Sequence, residues 1–413
     1  MKLVERHIIT KENQLFQEID RLAFLSKNLY NAANYLVRQE FINNNKYLAN
    51  PEVYHLIKSS VDYKALPAKV SNQVLRVLDR NWKSFLAAIK EFKLNPQKFL
   101  GRPKLPKYKD KIKGRNIVIY ELGAISKPNL RKGLVNLSKT NISITTLQKN
   151  IKEVRLIPRC HQYVIEIVYE VEDKIICSLE KINQVAALDL GVNNLATVSS
   201  NVRGFKPLII NGRPLKSINQ FYNKEKSELQ SNLQKQFPNR YVSNRINSLT
   251  AKRNNKIDTY LHQASRTIIN YLLHNQIGTL VIGNNKEWKQ DINIGKRNNQ
   301  NFVQIPHDKF IQQLSYKAEL VGIRVIINEE SYTSKASFLD LDNIPTYKKG
   351  EKHNFSGTRI FRGMYKSAKG LLINADLNGS YNILKKAVPN AFVEGIEGLA
   401  VIPFSFTPGK VKL

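Results

Sequence analysis

Apolar positions in the first quarter of the chain recur every three or four residues, which is the period of an amphipathic helix. This spacing predicts one helix within residues 12–47 and a second helix over about residues 71–92. The apolar faces consist of Leu15, Ile19, Leu22, Leu25 and Leu29 in the first helix, and of Val74, Leu75, Leu78, Trp82, Phe85 and Ile89 in the second. We therefore expect a mainly helical region over residues 12–113.

The pattern changes after residue 116 to short apolar or alternating runs that are separated by turn residues, as in β-strands. Five such runs lie between Asn116 and Val171, and residues 7–10 have the same character. Short antiparallel strands of this kind favour a small β-barrel. We expect residues 1–11 and 114–180 to form this barrel, with the helices of residues 12–113 as an insertion into it.

The rest of the chain alternates short apolar runs with longer helical stretches. The run of residues 185–190, the turn Gly191-Val192-Asn193-Asn194 and the next apolar run predict a buried β-hairpin. The other expected elements are strands at residues 208–212, 279–283 and 323–327, a helix pair over 215–275, a helix that begins near His307, a loop over 336–372, and a last helix that carries Asp376.

Carboxylates occur at three places in this second pattern. Asp189 lies inside the first buried strand, where a lone charge is costly without a partner. Glu329 and Glu330 follow the strand of residues 323–327, and Asp376 lies in the first turn of the last helix. This order of elements and acids is typical of an RNase H-like nuclease fold, in which two divalent ions hydrolyse a phosphodiester. Mg²⁺, or Mn²⁺ in its place, suits such oxygen ligands.

The sequence thus predicts an α/β multidomain protein, with an RNase H-like (RuvC-type) domain in addition to the small antiparallel β-barrel and its helical insertion. The nuclease-like domain is expected over residues 183–388 and includes the Cys-free loop insertion of residues 336–372. Residues 389–413 are expected to form a short C-terminal tail.

The net charge points to a polyanionic partner. There are 65 Lys and Arg against 33 Asp and Glu, a formal charge of +32, and nucleic acid is the usual partner of so basic a chain. Residues 101–115 form the densest basic run, in which the prolines forbid a regular helix; a solvated linker is the alternative. The candidate nucleic-acid contacts are Arg76, Arg80, Lys83, Arg102, Lys104, Lys107, Tyr108, Lys109, Arg253, Lys256 and Arg266.

Several classes of protein are disfavoured. The chain has two cysteines, which make neither a disulfide framework nor a cysteine-based zinc site. The N-terminal residues lack the apolar core of a signal peptide, and no stretch is long and apolar enough to span a membrane. We expect a cytoplasmic protein that acts on nucleic acid, without a membrane partner.

Six motifs give the chain a specific resemblance to the TnpB (OrfB) family of transposon-encoded RNA-guided nucleases, which is related to type V CRISPR effectors. The resemblance covers nearly the whole chain. The motifs are Leu29-Tyr30-Asn31, the stretch from Leu66-Pro67 to Trp82-Lys83-Ser84-Phe85, Gly101-Arg102-Pro103-Lys104-Leu105-Pro106-Lys107-Tyr108-Lys109, Leu188-Asp189-Leu190-Gly191-Val192, Tyr332-Thr333-Ser334-Lys335, and Asn374-Ala375-Asp376-Leu377-Asn378-Gly379-Ser380-Tyr381-Asn382-Ile383.

The resemblance implies a helical recognition lobe, a β-barrel wedge and a RuvC-type nuclease domain in a prokaryotic cytosol or nucleoid. It also implies a guide RNA made from the transposon end, and a double-stranded DNA target with a short flanking motif. The transposase of such an element is encoded separately.

The chain departs from the family pattern at the second acid of the nuclease site. The family usually has Glu at the end of the central strand, where this sequence has Gly283, and a glycine cannot bind metal. Two hypotheses follow. Either Glu329 or Glu330, at the end of the next strand, supplies the missing ligand (Glu287, in a loop, is a weaker candidate), or the nuclease site is inactive. We favour the first, with Asp189, Glu329 or Glu330, and Asp376 as catalytic metal ligands.

The second departure concerns zinc. The family commonly has a four-cysteine zinc knuckle before the last acid, but residues 336–372 contain no cysteine. The other polar residues of this segment do not have the spacing of a structural zinc site. We predict no zinc, and expect Phe338, Leu339, Tyr347, Phe355 and Phe361 to hold the segment by packing.

Three functions are compatible with these features of the sequence. The first is an RNA-guided, Mg²⁺-dependent DNA endonuclease. The second is a nuclease-inactive, RNA-guided DNA-binding protein that acts as a repressor does. The third is a general nucleic-acid-binding protein, which the ordered acidic strands disfavour.

Overall fold

The computed structural model describes residues 1–172, 182–284, 304–348 and 350–409. The chain divides into two compact units, Met1–Glu172 and Asp173–Leu413, which we call unit 1 and unit 2. No helix in the described ranges is long and apolar enough to cross a membrane.

Unit 1 combines a helical region with antiparallel strands. Its helices and strands are β1 (Lys2–Ile9), α1 (Phe16–Asn44), α2 (Asn50–Ile57), α3 (Val61–Lys64), α4 (Ala68–Leu94), β2 (Val118–Glu121), α5 (Lys127–Arg131), β3 (Leu134–Asn136), β4 (Ser143–Thr145), β5 (Ile151–Arg159) and β6 (Gln162–Glu170).

The two long helices of unit 1 lie where the apolar period predicts them. Trp82 of α4 is fully buried, and its indole N–H donates to Asn34 Oδ1 of α1 at 2.9 Å. This bond satisfies the one polar group of a large apolar side chain in the core, which would otherwise be left without a partner. The core of unit 1 is continuous from these helices to the strands β2, β5 and β6.

The strands of unit 1 form a four-stranded sheet in the order β1-β6-β5-β2, and a separate pair, β3-β4. The N-terminal strand β1 pairs antiparallel with β6, from Lys2 opposite Glu170 to Ile9 opposite Tyr163. In the part of unit 1 that the structure describes, the hydrogen-bonded order ends at β1 and β2. A closed barrel with a helical insertion therefore stays a prediction.

Unit 2 is built on a six-stranded mixed sheet with helices packed against it. Its helices and strands are β7 (Val185–Leu190), β8 (Asn194–Ser200), β9 (Leu208–Asn211), α6 (Arg213–Gln236), α7 (Asn244–His274), β10 (Thr279–Gly283), α8 (His307–Glu319), β11 (Arg324–Asn328), β12 (Thr358–Phe361), β13 (Met364–Lys366), β14 (Leu372–Asn374), α9 (Ala375–Ala387) and β15 (Phe404–Phe406).

The order of strands in the large sheet is β11-β10-β7-β8-β9-β15. Strand β10 is parallel to both β7 and β11, whereas β8 is antiparallel to β7 and to β9. Strand β15 lies in the segment that the sequence predicts to be a C-terminal tail, and it pairs parallel with β9. Three residues are too few for a periodic pattern, so only tertiary pairing identifies this strand.

Residues 336–372 are not the loop that the sequence predicts. The strands β12, β13 and β14 form a small antiparallel sheet there. Phe338 stacks on Tyr381 of α9 with ring centroids 4.4 Å apart, and Tyr365 and Ile373 complete this small core with Leu339 beside them. Phe361 is 61% exposed, so the prediction that its ring holds the segment is wrong. Phe355 and the partly exposed Tyr347 both lie against the ring of Tyr332.

Two carboxylates hold the start of this segment. Asp342 accepts hydrogen bonds from the backbone N–H of Ser337 at 2.7 Å and of Ser356 at 3.1 Å. Asp340 accepts from Ser337 Oγ at 2.6 Å and from the N–H of Ala368 at 2.8 Å. These bonds join parts of the segment that are distant in sequence.

We expect Asp342→Ala to loosen this segment. The substitution removes the acceptor for two backbone N–H groups, and each lost partner costs about 1–3 kcal/mol. Amide hydrogen exchange at Ser337 and Ser356 should therefore become faster, with a lower free energy of local opening. The exposed Glu351 of the same segment provides the control Glu351→Ala, which should leave both amides unchanged. If a metal chelator alone accelerated exchange in the unsubstituted chain, the carboxylates would not be what holds the segment.

Candidate functional site

Three acidic residues of unit 2, Asp189, Glu330 and Asp376, lie near one edge of the large sheet. The parallel strands β7, β10 and β11 end at this edge, and ligands in α/β sheets commonly bind beyond the carboxyl ends of such strands. Asp189 is the fifth residue of β7, and Gly283 is the last residue of β10, paired with Asn328 of β11. Glu330 follows two residues after Asn328, so its position beside Gly283 results from the register of the sheet.

Helix α9 is the fourth element at this edge, after the strands β7, β10 and β11. It packs on β7 and β8, where Ser380 Oγ donates to Ala187 O at 3.0 Å and lies 2.8 Å from Ser199 Oγ. A Cβ atom at Gly379 would lie 2.8 Å from Asp189 Oδ2, which is closer than real Cβ contacts occur. The small residues 379 and 380 therefore allow the close approach that places Asp376, one turn earlier on α9, near Asp189.

The carboxylate of Glu330 lies where a side chain at position 283 would be. A Cβ atom built on Gly283 would be 2.5 Å from Glu330 Oε2 and 2.5 Å from Ile383 Cδ1. The glycine at the end of the central strand and the acid after the neighbouring strand are thus spatially complementary. The sequence predicts that either Glu329 or Glu330 is the second acidic ligand. The geometry distinguishes the two, because only Glu330 lies beside Gly283.

The Tyr332-Thr333-Ser334-Lys335 motif fixes the backbone around Glu330. Thr333 Oγ1 donates to Glu330 O at 2.8 Å, and the carbonyl of Thr333 accepts from Asn382 Nδ2 of α9 at 2.9 Å. Tyr332 has a left-handed backbone with φ of 67°, which turns the chain back towards α9. The motif and the last helix therefore position Glu330 together.

Glu329 is bound elsewhere. Its Oε2 pairs with the largely buried ammonium of Lys386, and its Oε1 accepts from the backbone N–H of Ser331 at 2.7 Å. Glu287 lies outside the described residues. Of the acids near residue 330, the described geometry brings only Glu330 towards Asp189.

The pKa values of two of these acids, Asp189 and Glu330, are raised. Burial, followed by the negative charges of Glu330 and Asp376, holds the pKa of Asp189 well above its usual range, and the positive charge of Arg359 offsets part of this rise. Burial and the charge of Glu329 raise the pKa of Glu330 to about 7, against the opposing effect of Lys386. A pair of carboxyl groups in this condition is stabilised by a nearby cation.

Two residues near Asp376 were not predicted from the sequence. Asn194 Nδ2 donates to Asp376 Oδ2 at 2.6 Å, and Arg359 Nη2 lies 3.7 Å from Asp376 Oδ1. Asn194 was interpreted only as a turn residue of the β7–β8 hairpin. Arg359 lies on β12, in a segment that the sequence predicts to be a loop, so no periodic signal indicated which way its side chain points.

The donor set suits a divalent metal ion of the Mg²⁺ or Mn²⁺ type. All three acids offer oxygen ligands, and a cation between them would offset the burial and the neighbouring negative charges that raise the pKa of Asp189. Among the described side chains, however, no three His, Cys, Asp or Glu residues are close enough together to hold one ion as they stand. Ion binding would therefore draw the three carboxylates closer.

The residues predicted to contact nucleic acid differ in their exposure and in their ion pairs. All except Arg253 are exposed. Arg76 pairs with Glu121 at 2.9 Å and Lys83 with Asp79 at 2.8 Å, both on the surface of unit 1.

Arg253 is directed into unit 2. It donates from Nε to Asn219 Oδ1 and from Nη2 to Gln304 O, both at 2.9 Å. It thereby joins the antiparallel helices α6 and α7 to the chain before α8, and we exclude it from the proposed nucleic-acid surface. Lys256 and Arg266, farther along α7, are exposed and stay candidates.

Two family models match unit 2 and the end of unit 1. Residues 166–289 match the OrfB family of IS605 elements, described as a probable transposase. Residues 307–383 match the TNB domain of Cas12f1-like proteins. No curated protein sequence matches the chain.

Among solved structures, the chain is similar to Cas12f1 in a cryo-EM complex with sgRNA and target DNA. The two are 15% identical with a TM-score of 0.52, over 89% of this chain and 83% of that chain. The mini RNA-guided endonuclease Cas_phi3 is 12% identical with a TM-score of 0.44, over 98% of this chain and 94% of the other. The likeness of fold rests on the first of these structures.

The class that these matches define is that of the OrfB-type transposon proteins and Cas12f-type effectors, with an α/β multidomain fold. The matched segments, residues 166–289 and 307–383, support the TnpB-like family, related to the type V effectors, that the sequence predicts.

We expect the stability of the metal-free protein to fall as pH rises from about 4.5 to 7. Because the pKa of Glu330 is higher in the folded chain than its ordinary value, the folded state holds more protons than the unfolded state in this window. The stabilisation is complete below the ordinary pKa and is lost as pH rises through about 7. Asp189 acts in the same direction, and Asp376, Glu329, Lys386 and Arg359 are the charged groups that face this pair.

Thermal unfolding of the unsubstituted chain and Glu330→Gln, measured across this pH range in a chelator, tests the expectation. The variant should show a smaller loss of melting temperature. Equal pH profiles for the two proteins would mean that Glu330 titrates normally.

The complementarity of positions 283 and 330 predicts a non-additive pair of substitutions. Gly283→Ala should destabilise unit 2 by about 1–3 kcal/mol, because the added methyl group overpacks against Glu330 and Ile383. Glu330→Ala should relieve part of this cost, so that a double-mutant cycle of unfolding free energies gives a coupling of about 1 kcal/mol. Gly101→Ala, whose Cβ would meet no heavy atom within 4 Å, is the control. Additive effects would show that the two positions do not share space.

Proposed function

We propose that the chain is a transposon-associated, RNA-guided DNA endonuclease that cleaves phosphodiesters by a two-metal-ion mechanism. Unit 2 would be its RNase H-like (RuvC-type) domain. The observation that supports this most is the carboxylate of Glu330, which lies in the space left by Gly283 and interacts electrostatically with Asp189 together with Asp376. An inactive chain would have no need of a second acid in this place.

The metal ligands in this proposal are Asp189, Glu330 and Asp376. Bound Mg²⁺ or Mn²⁺ would supply an activated water and stabilise the leaving oxygen. The protein's own contribution is to hold Asp189 on a rigid strand, Asp376 on the first turn of α9 and Glu330 on a turn fixed by Thr333. Asn194 orients Asp376, and Arg359 is placed to contact a phosphate oxygen once the charge of Asp376 is taken up by a cation.

The partners follow from the same proposal. The sheet and helices of unit 1 would serve as the wedge and recognition regions, with the wedge a β-barrel into which the helices are inserted. They would contact a guide RNA from the transposon end and the short motif that flanks a double-stranded DNA target. Cas12f1, whose fold is similar, has been determined with an sgRNA and target DNA. The transposase of the element would be a separate protein, and the complex would act in the cytoplasm.

The adjacent acids Glu329 and Glu330 provide the sharpest test. The purified protein with its guide RNA should cleave a matched DNA in Mg²⁺ or Mn²⁺. Glu330→Gln should lower the cleavage rate by more than about a hundredfold, since the loss of groups that only support metal ligands already costs 10–100-fold. Glu329→Gln should cleave at nearly the original rate, because Glu329 is paired with Lys386. Target binding should survive in both.

Other results would separate the alternatives. Loss of cleavage in Glu329→Gln but not in Glu330→Gln would reverse the assignment. Guide-dependent target binding without cleavage in either metal would favour the inactive, repressor-like protein. The observation on its side is that no three of the described His, Cys, Asp and Glu residues are close enough together to hold one ion. Binding that does not depend on the guide would favour a general nucleic-acid-binding protein.

A further inference from the structure

The basic run of residues 101–115, which we call the strap, lies along helix α1; it has no helix or turn over residues 102–110 and forms a turn over residues 111–113. Asn31 of α1 makes two hydrogen bonds with the backbone of Lys109: its Nδ2 donates to Lys109 O, and its Oδ1 accepts from Lys109 N, both at 2.9 Å. This exchange imitates the pairing of two strands, with a side-chain amide in place of a peptide group. The strap is thus held by its backbone, which leaves its side chains free to point outward.

Further contacts extend this arrangement in both directions. Pro106 O accepts from Arg38 Nη1 at 2.9 Å and from Asn34 Nδ2 at 3.1 Å, while Lys111 O accepts from Lys27 Nζ at 2.6 Å. At the end of the strap, Arg115 binds both carboxylate oxygens of Asp20, at 2.8 and 2.7 Å. The anchoring residues of α1 are Asp20, Lys27, Asn31, Asn34 and Arg38, which are spaced three, four or seven residues apart and so form one stripe along the helix.

The lengths of the two segments agree. From Lys27 to Arg38 the helix advances by about 16 Å at 1.5 Å per residue. From Lys111 to Pro106 the strap has five residues, which also span about 16 Å when almost fully extended at 3.3 Å per residue. The order of the anchors shows that the strap runs antiparallel to α1 over a comparable length. A solvated linker has no reason to be held in this way.

The outward face of the strap carries the charge. Arg102, Lys104, Lys107, Lys111 and Lys113 are exposed, while Leu105 packs against the core of unit 1. The single acid, Asp110, is turned to the backbone N–H groups of Ile112 and Lys113, at 2.9 and 2.6 Å, and these bonds lower the pKa of its carboxyl. Cations thus line a backbone that is anchored to α1 and that turns only at Lys111–Lys113.

Aromatic rings accompany this line. Tyr108 is 44% exposed, and the guanidinium of Arg38 lies 5.2 Å from the centre of its ring. Tyr35, one turn along α1 from Asn31, is 55% exposed at the edge of the stripe. Exposed rings beside a row of cations suit a single strand, whose unpaired bases can stack while its phosphates meet the lysines.

We propose that the strap and the polar stripe of α1 form a preformed track for the phosphodiester backbone of a single RNA strand. The choice of RNA rests on the proposed function, in which RNA is the partner that stays bound between DNA targets. Asn31 is then a neutral positioning residue: it touches no phosphate, but it keeps the strap extended so that binding needs no further ordering of the chain.

A substitution that changes no charge distinguishes a preformed track from a strap that binds RNA by charge alone. Asn31→Ala keeps every charge of the strap but removes both bonds to Lys109. Asn28→Ala on the same helix is the matched control, because Asn28 makes no hydrogen bond to the strap in the part of the chain that the structure describes. Lys104→Gln combined with Lys107→Gln changes only exposed side chains and does not threaten folding. The probe is a short, labelled, unstructured RNA, whose binding is followed by fluorescence anisotropy at several salt concentrations.

We expect Asn31→Ala to weaken RNA binding about three- to tenfold, as the loss of two hydrogen bonds implies, with the salt dependence unchanged. The double lysine variant should weaken binding and reduce the slope of log K against log salt by about 0.7 for each lost contact. Asn28→Ala should bind as the unsubstituted chain does. Circular dichroism of all variants checks that α1 remains helical.

Three results would overturn the proposal. If Asn31→Ala bound as well as Asn28→Ala, the conformation of the strap would not matter. If the double lysine variant kept both affinity and slope, the strap would not contact the strand. If single-stranded or duplex DNA of the same sequence bound more tightly than RNA and lost the same factor in Asn31→Ala, the track would be for DNA. None of these measurements requires cleavage, so failure of the nuclease proposal leaves the result unaffected.

Discussion

Electrostatic crowding at the carboxyl edge of the large sheet is the constraint on which the rest of unit 2 depends. Asp189 is held on a buried strand, and α9 approaches so closely that position 379 has no room for a side chain. The approach brings Asp376 near Asp189, and the register of β10 and β11 adds Glu330. Burial, followed by the negative charges of Glu330 and Asp376, raises the pKa of Asp189, and burial, followed by the charge of Glu329, raises the pKa of Glu330. A cation between the acids would favour their charged forms. The fold stores this unfavourable arrangement because packing elsewhere determines it.

In the proposed site, Glu330 would supply the carboxylate that a glycine at position 283 cannot. Because parallel neighbours end at the same edge of a sheet, an acid after β11 reaches the region that a residue at the end of β10 faces. The turn after β11 must then be fixed, and the bonds from Thr333 to Glu330 and from Asn382 to Thr333 do this. The adjacent Glu329 contributes by binding Lys386, which holds the same turn to α9.

The sequence predicts those elements of the fold that have a long apolar pattern, and those site residues that are carboxylates within or beside apolar segments. The stripes of α1 and α4, the β7–β8 hairpin around Asp189 and the helix that carries Asp376 follow from apolar periodicity. The strands β12 to β15 could not, because three or four residues without alternation are identified only by their partners. Glu329 and Glu330 are indistinguishable in sequence, since only the positions of Lys386 and Gly283 tell them apart. Likewise, only tertiary contacts show that Arg253 bonds to Asn219 and Gln304 and that Arg359 lies near Asp376.

The most direct test of this account is a structure of the protein determined with Mn²⁺, in which anomalous scattering locates each ion. We predict manganese bound by carboxylate oxygens of Asp189, Glu330 and Asp376, with Glu329 still paired with Lys386 and Arg359 withdrawn from Asp376. An ion bound by Glu329, or the absence of manganese between these acids at saturating concentrations, would contradict it.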